Sequence, residues 1–247
     1  MFTVFEKVKE FKNKEFNVKL TITSLIFYLL SLTVSSQTYK YIGIEEGLSN
    51  QKIYKIQKDA RGYMWFLTHV GIDQYNGKEI KHYKLREGNR ELDPLLNINW
   101  TFLDKTGTLL VTGKQGRIFR YDSGHDRFVQ IYSMYNYWNK DYHAFVRYSY
   151  IDQEDNVWLC GKSAIHLFNI ESGQKQRISN RLGNITCIEQ INSEHFFIGT
   201  DKRIYLAKLE NGNLKELSCG KLGMMDMHVH ELYLHRTAQQ NCFIGTF

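Results

Sequence analysis

A short unit that recurs every 39 to 48 residues constrains the fold of this chain more than any other feature. Its first copy runs from Ile53 to Gly77, where two β-type runs flank an Asp-x-x-Gly turn and a third follows Gly71. Asp suits such a turn because its side chain accepts hydrogen bonds from nearby backbone, and Gly because it adopts a positive φ without steric cost. The pattern predicts a small antiparallel sheet that the chain builds several times.

Five copies of the unit align at one position after the second run. The residues there are Thr68, Gly113, Gly161, Thr200 and Thr246, separated by 45, 48, 39 and 46 residues, with Thr112 as an alternative to Gly113. A repeat of this length with three or four short strands and no helix is typical of a propeller blade. One blade cannot bury both faces of its sheet, so the aromatic residue after each turn is predicted to pack between blades.

We therefore predict an all-β fold, a β-propeller of about four and a half four-stranded blades in an incomplete ring, behind an N-terminal signal segment. The blades are expected near residues 52–83, 98–131, 145–178, 185–217 and 228–247. A lone strand is expected at Tyr39–Ile42, ahead of a turn at Gly47-Leu48-Ser49. Apolar residues alternate in short runs, so no helix of any length is predicted.

The N-terminus has the composition of an export signal. A basic stretch precedes Leu20–Val34, an apolar run of 15 residues, and small residues at 34–36 favour cleavage before Gln37. A membrane span needs about 20 apolar residues. Residues 1–36 are therefore predicted to be a signal peptide, with an uncleaved anchor as the alternative, and residues 37–247 are predicted to be periplasmic.

The first copy of the unit also resembles a known family. The resemblance rests on Gly47-Leu48-Ser49-Asn50 followed by Ile53-x-x-Ile56-x-x-Asp59-x-x-Gly62-x-x-Trp65-x-x-Thr68-x-x-Gly71-Ile-x-x-Tyr75, which is similar to the two-component regulator propeller repeat. The third copy also matches, the second has Leu in place of Trp, and the last two lack a clear Asp-x-x-Gly. The family's propellers are periplasmic sensor parts of hybrid two-component systems in glycan-foraging bacteria. The resemblance therefore implies a sensor that binds an oligosaccharide and signals to a cytoplasmic histidine kinase and transcription regulator.

Residues at equivalent places in the copies are assigned a structural role. A residue copied from blade to blade is expected to hold the repeat together rather than to perform one reaction. The assigned residues are Asp59, Gly62, Trp65, Thr68, Gly71, Asp104, Gly107, Asp152, Trp158, Gly161, Phe197, Thr200, Phe243 and Thr246. The alternative is a catalytic or calcium-binding role for the repeated Asp residues.

The segment from Tyr132 to His143 departs from the repeat and joins blade two to blade three. Its aromatic residues alternate with Asn, Asp, Lys and His, which suits the apolar faces and hydroxyls of a sugar. The candidate ligand-binding residues are Tyr135, Tyr137, Trp138 and His143, with His69, Lys114 and Lys202 from the loops after second strands. The alternative is that these aromatic residues pack onto the adjacent blade or a partner domain.

No nucleophile motif, Gly-rich phosphate loop, kinase motif or DNA-binding domain is found, so the chain is predicted not to be an enzyme. Two rival functions stay open, a periplasmic propeller enzyme acting on polysaccharide and a structural interaction module. On a strand, His228 and His230 would face one side and His235 the other, so no metal site and no cofactor are predicted. Without residues 1–36 the net charge is +4 and no Lys/Arg cluster with stacking aromatics is present, so nucleic acid is not an expected partner.

Two further expectations concern the exported part. Its four cysteines, Cys160, Cys187, Cys219 and Cys242, are interpreted as buried free thiols rather than disulfides, because three lie in apolar strand runs.

The last residues fit the second strand of a fifth blade. A propeller needs closure to protect its edges, so we expect remaining blades or another propeller chain to complete the ring, and the sequence to be a truncated frame or a fragment of a longer sensor.

Overall fold

The computed structural model describes residues 16–25, 39–134, 145–210, 212–217, 232–236 and 242–246. Two compact units are distinguished, Met1–Tyr41 and Ile42–Phe247. In the first, residues 16–25 are helical. Within the described ranges, no helix has both the length and the apolar character needed to cross a bilayer.

The second unit consists of consecutive antiparallel sheets in which each strand pairs with the next one along the chain. Blade one contains β1 (Ile53–Lys58), β2 (Met64–Thr68), β3 (Ile72–Tyr75) and β4 (Ile80–Tyr83). The connection that follows contains a two-stranded hairpin of β5 (Arg86–Glu87) and β6 (Arg90–Glu91) and a four-residue helix, Pro94–Asn97. Blade two contains β7 (Trp100–Leu103), β8 (Leu109–Thr112), β9 (Arg117–Asp122) and β10 (Arg127–Ser133).

The remaining sheets repeat the same meander. Blade three contains β11 (Tyr148–Ile151), β12 (Asn156–Cys160), β13 (Ala164–Asn169) and β14 (Lys175–Ser179). Blade four contains β15 (Ile185–Gln190), β16 (His195–Thr200), β17 (Ile204–Glu210) and β18 (Asn213–Leu217). A two-stranded sheet of β19 (Leu232–Arg236) and β20 (Cys242–Thr246) follows. The predicted all-β propeller of four-stranded blades with a partial fifth is confirmed.

The apolar core lies between successive blades. Trp65 of β2 packs in one cluster with Val111 and Phe119 of blade two. Trp158 of β12 packs against Phe196 of blade four, with ring centroids 4.8 Å apart. Both tryptophans are completely buried. Fully burying a large apolar side chain stabilises a fold by about 1.5–3 kcal/mol, so the contacts between blades are a main source of stability.

Two predictions about local structure were wrong. Residues 39–42 form no strand, and Tyr39 and Tyr41 are exposed. A strand-like composition does not by itself satisfy the backbone N–H and C=O groups that a strand must pair. The predicted turn does follow, closed by a 2.9 Å hydrogen bond from Leu48 N to Gly43 O.

The absence of any helix was the second wrong prediction, since residues 16–25 and Pro94–Asn97 are helical. Asp93 caps the short helix by accepting a hydrogen bond from Leu95 N, and Pro94 occupies its first turn. Asp followed by Pro is a local signal for a helix start, and the alternation of the neighbouring strands concealed it.

Candidate functional site

One edge of the propeller gathers loops from all four complete blades. In an antiparallel meander, the start of the first strand, the end of the second and the start of the third lie at the same edge of the sheet. We call this edge the upper rim. It comprises residues 50–52, 69–70, 97–99, 114–116, 145–147, 162–163, 180–184 and 201–203. The first strands of successive blades are neighbours, so these segments are close together.

A cavity of about 910 Å³ opens at the upper rim between blades two, three and four. Its lining residues are Trp100, Lys114, Phe145, Val146, Arg147, Asn184, Ile185, Thr186 and Asp201. The volume lies within the range of about 300–1,000 Å³ that is usual for ligand sites. It is the candidate functional site.

Backbone hydrogen bonds fix the positions from which two basic side chains enter this site. Lys114 N donates to Asn99 Oδ1 at 3.3 Å, and the Lys114 carbonyl accepts from Val146 N at 2.9 Å. Arg147 N donates to the carbonyl of Cys160 at 2.8 Å. The blade-two loop is thereby tied to the start of blade three, while the side chains of Lys114 and Arg147 stay exposed.

Only one of the two carboxylate oxygens of Asp201 accepts a hydrogen bond from a described residue. Its Oδ2 accepts a 2.8 Å hydrogen bond from Asn184 Nδ2, and its backbone N donates to the Asn184 carbonyl at 3.1 Å. Its Oδ1 is buried and has no hydrogen-bond partner among the described residues. Leaving a buried acceptor unsatisfied costs about 1–3 kcal/mol, which favours a small rotation of the Asp201 carboxylate toward a hydroxyl donor in the cavity.

A threonine at the end of the second strand shapes the upper-rim loop in two blades. Thr200 Oγ1 donates to Arg203 O at 2.9 Å and accepts from Lys202 N at 3.2 Å. Thr68 Oγ1 in blade one donates to Gly71 O at 3.0 Å in the same way. The shared loop shape puts the residue that follows each threonine at an equivalent place.

That equivalent place holds His69 in blade one and Asp201 in blade four. His69 N donates to the Lys52 carbonyl at 3.1 Å, which matches the bond from Asp201 N to Asn184. His69 Nδ1 also lies 2.7 Å from the hydroxyl of Tyr54. Blade one therefore presents an imidazole and a phenol at the rim position where blade four presents a carboxylate.

The predicted ligand residues fall into three groups. Lys114 lines the cavity, whereas Lys202 and His69 lie on the upper rim outside its lining. Tyr135, Tyr137, Trp138 and His143 lie outside the described residues, and their role stays a prediction.

Sequence reasoning missed most of the lining residues, above all Trp100, Phe145, Arg147, Asn184 and Asp201. Asp201 could have been found, because it directly follows a repeat threonine as His69 does. Phe145 and Arg147 were expected within the first strand of blade three, whereas β11 begins at Tyr148 and leaves both at the rim. Nothing in the sequence shows which blade they face.

The repeated Asp residues are occupied within their own turns. Asp59 Oδ1 accepts from Arg61 N at 3.0 Å and from Tyr63 N at 2.9 Å, while its Oδ2 accepts from Trp65 Nε1 at 2.9 Å. Asp152 makes the same bond to Trp158 Nε1 at 2.9 Å. These contacts give both carboxylates a local structural role.

Blade two satisfies its turn carboxylate differently. Leu110 stands where blades one and three have tryptophan, and Arg120 lies directly opposite Leu110 in the β8–β9 pair. The Arg120 guanidinium forms an ion pair with Asp104 Oδ2 at 2.7 Å. A cross-strand arginine thus replaces the indole.

The turn position after each Asp requires a left-handed backbone. Gly62 and Gly107 have φ of 89° and 74°, and Asp155 occupies the same place with φ of 59°. Asp155 accepts hydrogen bonds from Lys105 N at 3.1 and 3.3 Å, which connects blade three to blade two. Burial raises the pKa of Asp155, and the nearby Asp104 and Glu171 add to this effect.

The other candidate chemistry of the sequence gains no support from the described residues. Among them, no three His, Cys, Asp or Glu side chains are grouped so that they could hold a metal ion. His228 and His230 lie outside the described ranges, and only the backbone of His235 is described. Cys160 and Cys187 are buried and form no disulfide with a described cysteine, in agreement with the interpretation of these two as thiols, and burial raises the pKa of Cys160.

These features define a β-propeller with a ligand-sized cavity at one rim. Residues 47–69 match the family model described as "Two component regulator propeller". The chain therefore carries the two-component regulator propeller repeat, as the sequence resemblance indicated. No curated protein matches the chain.

Solved propellers agree with the fold. The extracellular domain of the putative hybrid two component system BT3049 from B. thetaiotaomicron is 18% identical, with a TM-score of 0.60 over 84% of this chain and 29% of that one. The extracellular domain of the putative one component system BT4673 from the same organism is 14% identical, with a TM-score of 0.58 over 86% and 27%. PorZ, a surface component of the type-IX secretion system of Porphyromonas gingivalis, is 11% identical, with a TM-score of 0.57 over 87% and 30%. The chain thus spans less than a third of the length of each of these structures, and at such identities the likeness shows the fold.

Proposed function

We propose that this propeller is the ligand-sensing part of an extracytoplasmic two-component system and that it binds an oligosaccharide in the upper-rim cavity. The regulator propeller repeat and the extracellular sensor domains of similar fold support the sensing role. The observation that carries the proposal is the cavity itself, which combines exposed apolar faces with an unsatisfied buried acceptor.

The cavity lining offers the two kinds of contact that a sugar needs. Trp100 and Phe145 supply flat apolar faces for the C–H groups of a pyranose ring, and Phe145 is 54% exposed. Asp201 Oδ1 would accept from a hydroxyl, and Thr186 adds a further polar group. Apolar walls with a few convergent polar groups are typical of small-molecule sites.

The aromatic loop predicted from the sequence belongs to the same proposal. His143 precedes Phe145 by two residues, so Tyr135, Tyr137, Trp138 and His143 are proposed as additional sugar contacts. Export by residues 1–36 and a periplasmic location are also proposed. The expectation that further blades, of this or another chain, complete the ring stays a prediction.

The geometry favours binding over turnover. Asp201 is the one carboxylate among the lining residues that the structure describes, whereas most glycoside hydrolases use a pair of carboxyl groups. The propeller is therefore assigned the sensing step, and the phosphorelay step is assigned to the histidine kinase and response regulator of a hybrid system.

A glycan panel tests the proposal. Thermal unfolding of the full chain is measured with each oligosaccharide, and hits are titrated by calorimetry while reducing ends are assayed. A true ligand at one hundred times its dissociation constant should raise the free energy of unfolding by about 2.7 kcal/mol, with no new reducing ends.

Phe145→Ala should weaken that binding about tenfold through the loss of ring stacking. Val129→Ala is the matched control, because Val129 is an exposed apolar residue on β10 rather than in the cavity lining. Binding that is unchanged in Phe145→Ala would refute the site. A panel without hits would refute oligosaccharide sensing.

A further inference from the structure

We infer that the ligand of the upper-rim cavity is an anionic oligosaccharide, one that carries carboxylate or sulfate groups. This inference rests on the proposed function and narrows its ligand class. It arises from the distribution of charge over the two edges of the propeller.

Basic residues recur on the upper rim in every complete blade. The loops after the second strands carry His69, Lys114, Lys162 and Lys202. The segments that lead into first strands add Lys52, Arg147 and Arg181. Asp201 is the one acidic residue in the rim segments defined above. The positive sign of this surface is therefore built into successive blades.

The rim cations are also free to act on a ligand. Lys114, Arg147, Lys162, Arg181 and Lys202 have exposed side chains, and none of them forms an ion pair with another described residue.

Nearby acidic residues in the connection between blades one and two are already engaged. Glu87 pairs with Arg117 at 3.4 Å and Glu91 with Lys84 at 2.8 Å, while Asp93 caps the short helix. The two glutamates are therefore already paired and do not compensate the rim charge.

The opposite edge of the propeller, which contains the turns after the first strands, is mainly acidic. It carries Asp59, Asp104, Asp152, Glu154, Asp155 and Glu194, against Arg61 and Lys105. The positive charge of the upper rim is therefore specific to that edge and does not follow from an excess of basic residues over the whole surface. Like charges gathered on one surface raise the local concentration of ligands of the opposite sign.

Two of the free cations converge on the cavity from neighbouring blades. Lys114 comes from blade two and Arg147 from the start of blade three. A guanidinium can bind a carboxylate or a sulfate through two parallel hydrogen bonds, and an ammonium adds a compact positive charge. A neutral sugar offers these two groups only hydroxyl acceptors, so an anionic sugar gains more from them. Asp201, already bound by Asn184, is left to take a hydroxyl.

The test compares ligands that differ in charge. The full chain is titrated with trigalacturonate, a sulfated chondroitin disaccharide, neutral maltotriose, inorganic sulfate and oligoglutamate, at low and high salt. We expect at least one acidic sugar to bind about tenfold more tightly than maltotriose, and its binding to weaken at high salt because salt screens exposed charges. Which of the two acidic sugars binds identifies the anionic group.

Charge-removing variants locate the effect. Lys114→Gln and Arg147→Gln should each weaken acidic-sugar binding about tenfold and change maltotriose binding by a clearly smaller factor. Lys78→Gln, an exposed lysine in the β3–β4 turn at the opposite edge, is the control and should change nothing. Equal melting temperatures would show that all three variants fold, as expected for exposed side chains.

The outcomes separate this inference from the proposed function. Maltotriose binding as tightly as either acidic sugar would overturn the inference and leave oligosaccharide sensing intact. The absence of any sugar binding would refute both. Inorganic sulfate or oligoglutamate binding as well as the acidic sugars would show a general anion surface and would also overturn the inference.

Discussion

Trp65 donates the hydrogen of its indole Nε1 to Oδ2 of Asp59, six residues earlier, at 2.9 Å. Trp158 and Asp152 repeat the contact at the same distance. The bond joins the turn that begins a hairpin to the side chain that fills the space between blades. It explains why a buried tryptophan and a buried carboxylate recur together in this repeat.

Replacing Asp152 should destabilise the fold strongly. Its Oδ1 accepts from Glu154 N and Asn156 N, and its Oδ2 from Trp158 Nε1. Asp152→Ala would leave these donors without their acceptor, at a cost of about 1–3 kcal/mol for each one that stays buried.

Urea denaturation measures the change in the free energy of unfolding for Asp152→Ala, for which we expect a loss of at least about 3 kcal/mol. Asp122→Ala, which removes a partly exposed carboxylate at the end of β9, is the control and should lose less than about 1 kcal/mol. Equal losses in both variants would contradict the structural role of Asp152.

Arg120 and Asp104 should be energetically coupled. Asp104 is buried and its ion pair with Arg120 substitutes for the missing indole bond. A double-mutant cycle with Asp104→Asn and Arg120→Met should give a coupling of about 1–3 kcal/mol in the free energy of unfolding. The exposed pair Arg203–Glu216, at 3.3 Å, is the matched comparison and should give less than about 1 kcal/mol. If the coupling energy of Asp104 and Arg120 were no larger than that of the exposed pair, their ion pair would not take the energetic place of the indole hydrogen bond.

Asp155→Asn should stabilise the protein at neutral pH. Asn tolerates the left-handed φ and still accepts from Lys105 N, but it lacks the charge whose burial is unfavourable. Because the folded-state pKa of Asp155 is raised, the wild type gains stability as the pH falls through that pKa, and the gain is complete below the unfolded pKa of about 3.9.

The advantage of Asp155→Asn should therefore be about 0.5–2 kcal/mol at neutral pH and disappear in acid, as measured by thermal unfolding across pH. Asp155→Ala, which meets the same φ without a compensating bond, should be destabilised. A pH-independent advantage of the Asn variant would show that the carboxylate's charge is not the cause.

Gly113→Ala should damage both stability and ligand binding. An added Cβ would lie 2.2 Å from Asn97 Cα and 2.4 Å from Leu96 O, so the backbone of the short helix would have to move. Such overpacking costs about 1–3 kcal/mol, and it would displace the neighbouring Lys114 at the cavity. Gly124→Ala is the control for glycine replacement alone, because Gly124 lacks a positive φ and its added Cβ would meet only Asp122 Oδ1, at 3.4 Å. Thermal unfolding and sugar titration should show a larger effect at 113, and equal effects would contradict the close approach.

The close approach at Gly113 also resolves an alignment that the sequence left open. Blade two has no room for a threonine side chain there, because the helix Pro94–Asn97 lies against the loop. Gly113 follows Asp104 by nine residues, as Thr68 follows Asp59 and Gly161 follows Asp152. The repeat spacing therefore supports Gly113 rather than Thr112 as the equivalent position.

The sequence by itself determined the repeat, the blade type and the turns. These depend on contacts between residues a few positions apart, such as Asp59 with Trp65, and on side-chain alternation within one strand. Tyr39–Ile42 shows the limit of that reasoning. It has the composition of a strand, yet these residues form none.

Tertiary structure alone decided the site. Lys114, Arg147 and Asp201 belong to three blades, and only the packing of those blades brings them to one cavity. The same holds for Arg120, whose place opposite Leu110 depends on the β8–β9 register. The local sequence pattern indicates which strand a residue belongs to. Which residues meet across strands and blades depends on three-dimensional distances, and these cannot be obtained from the spacing of residues in the sequence.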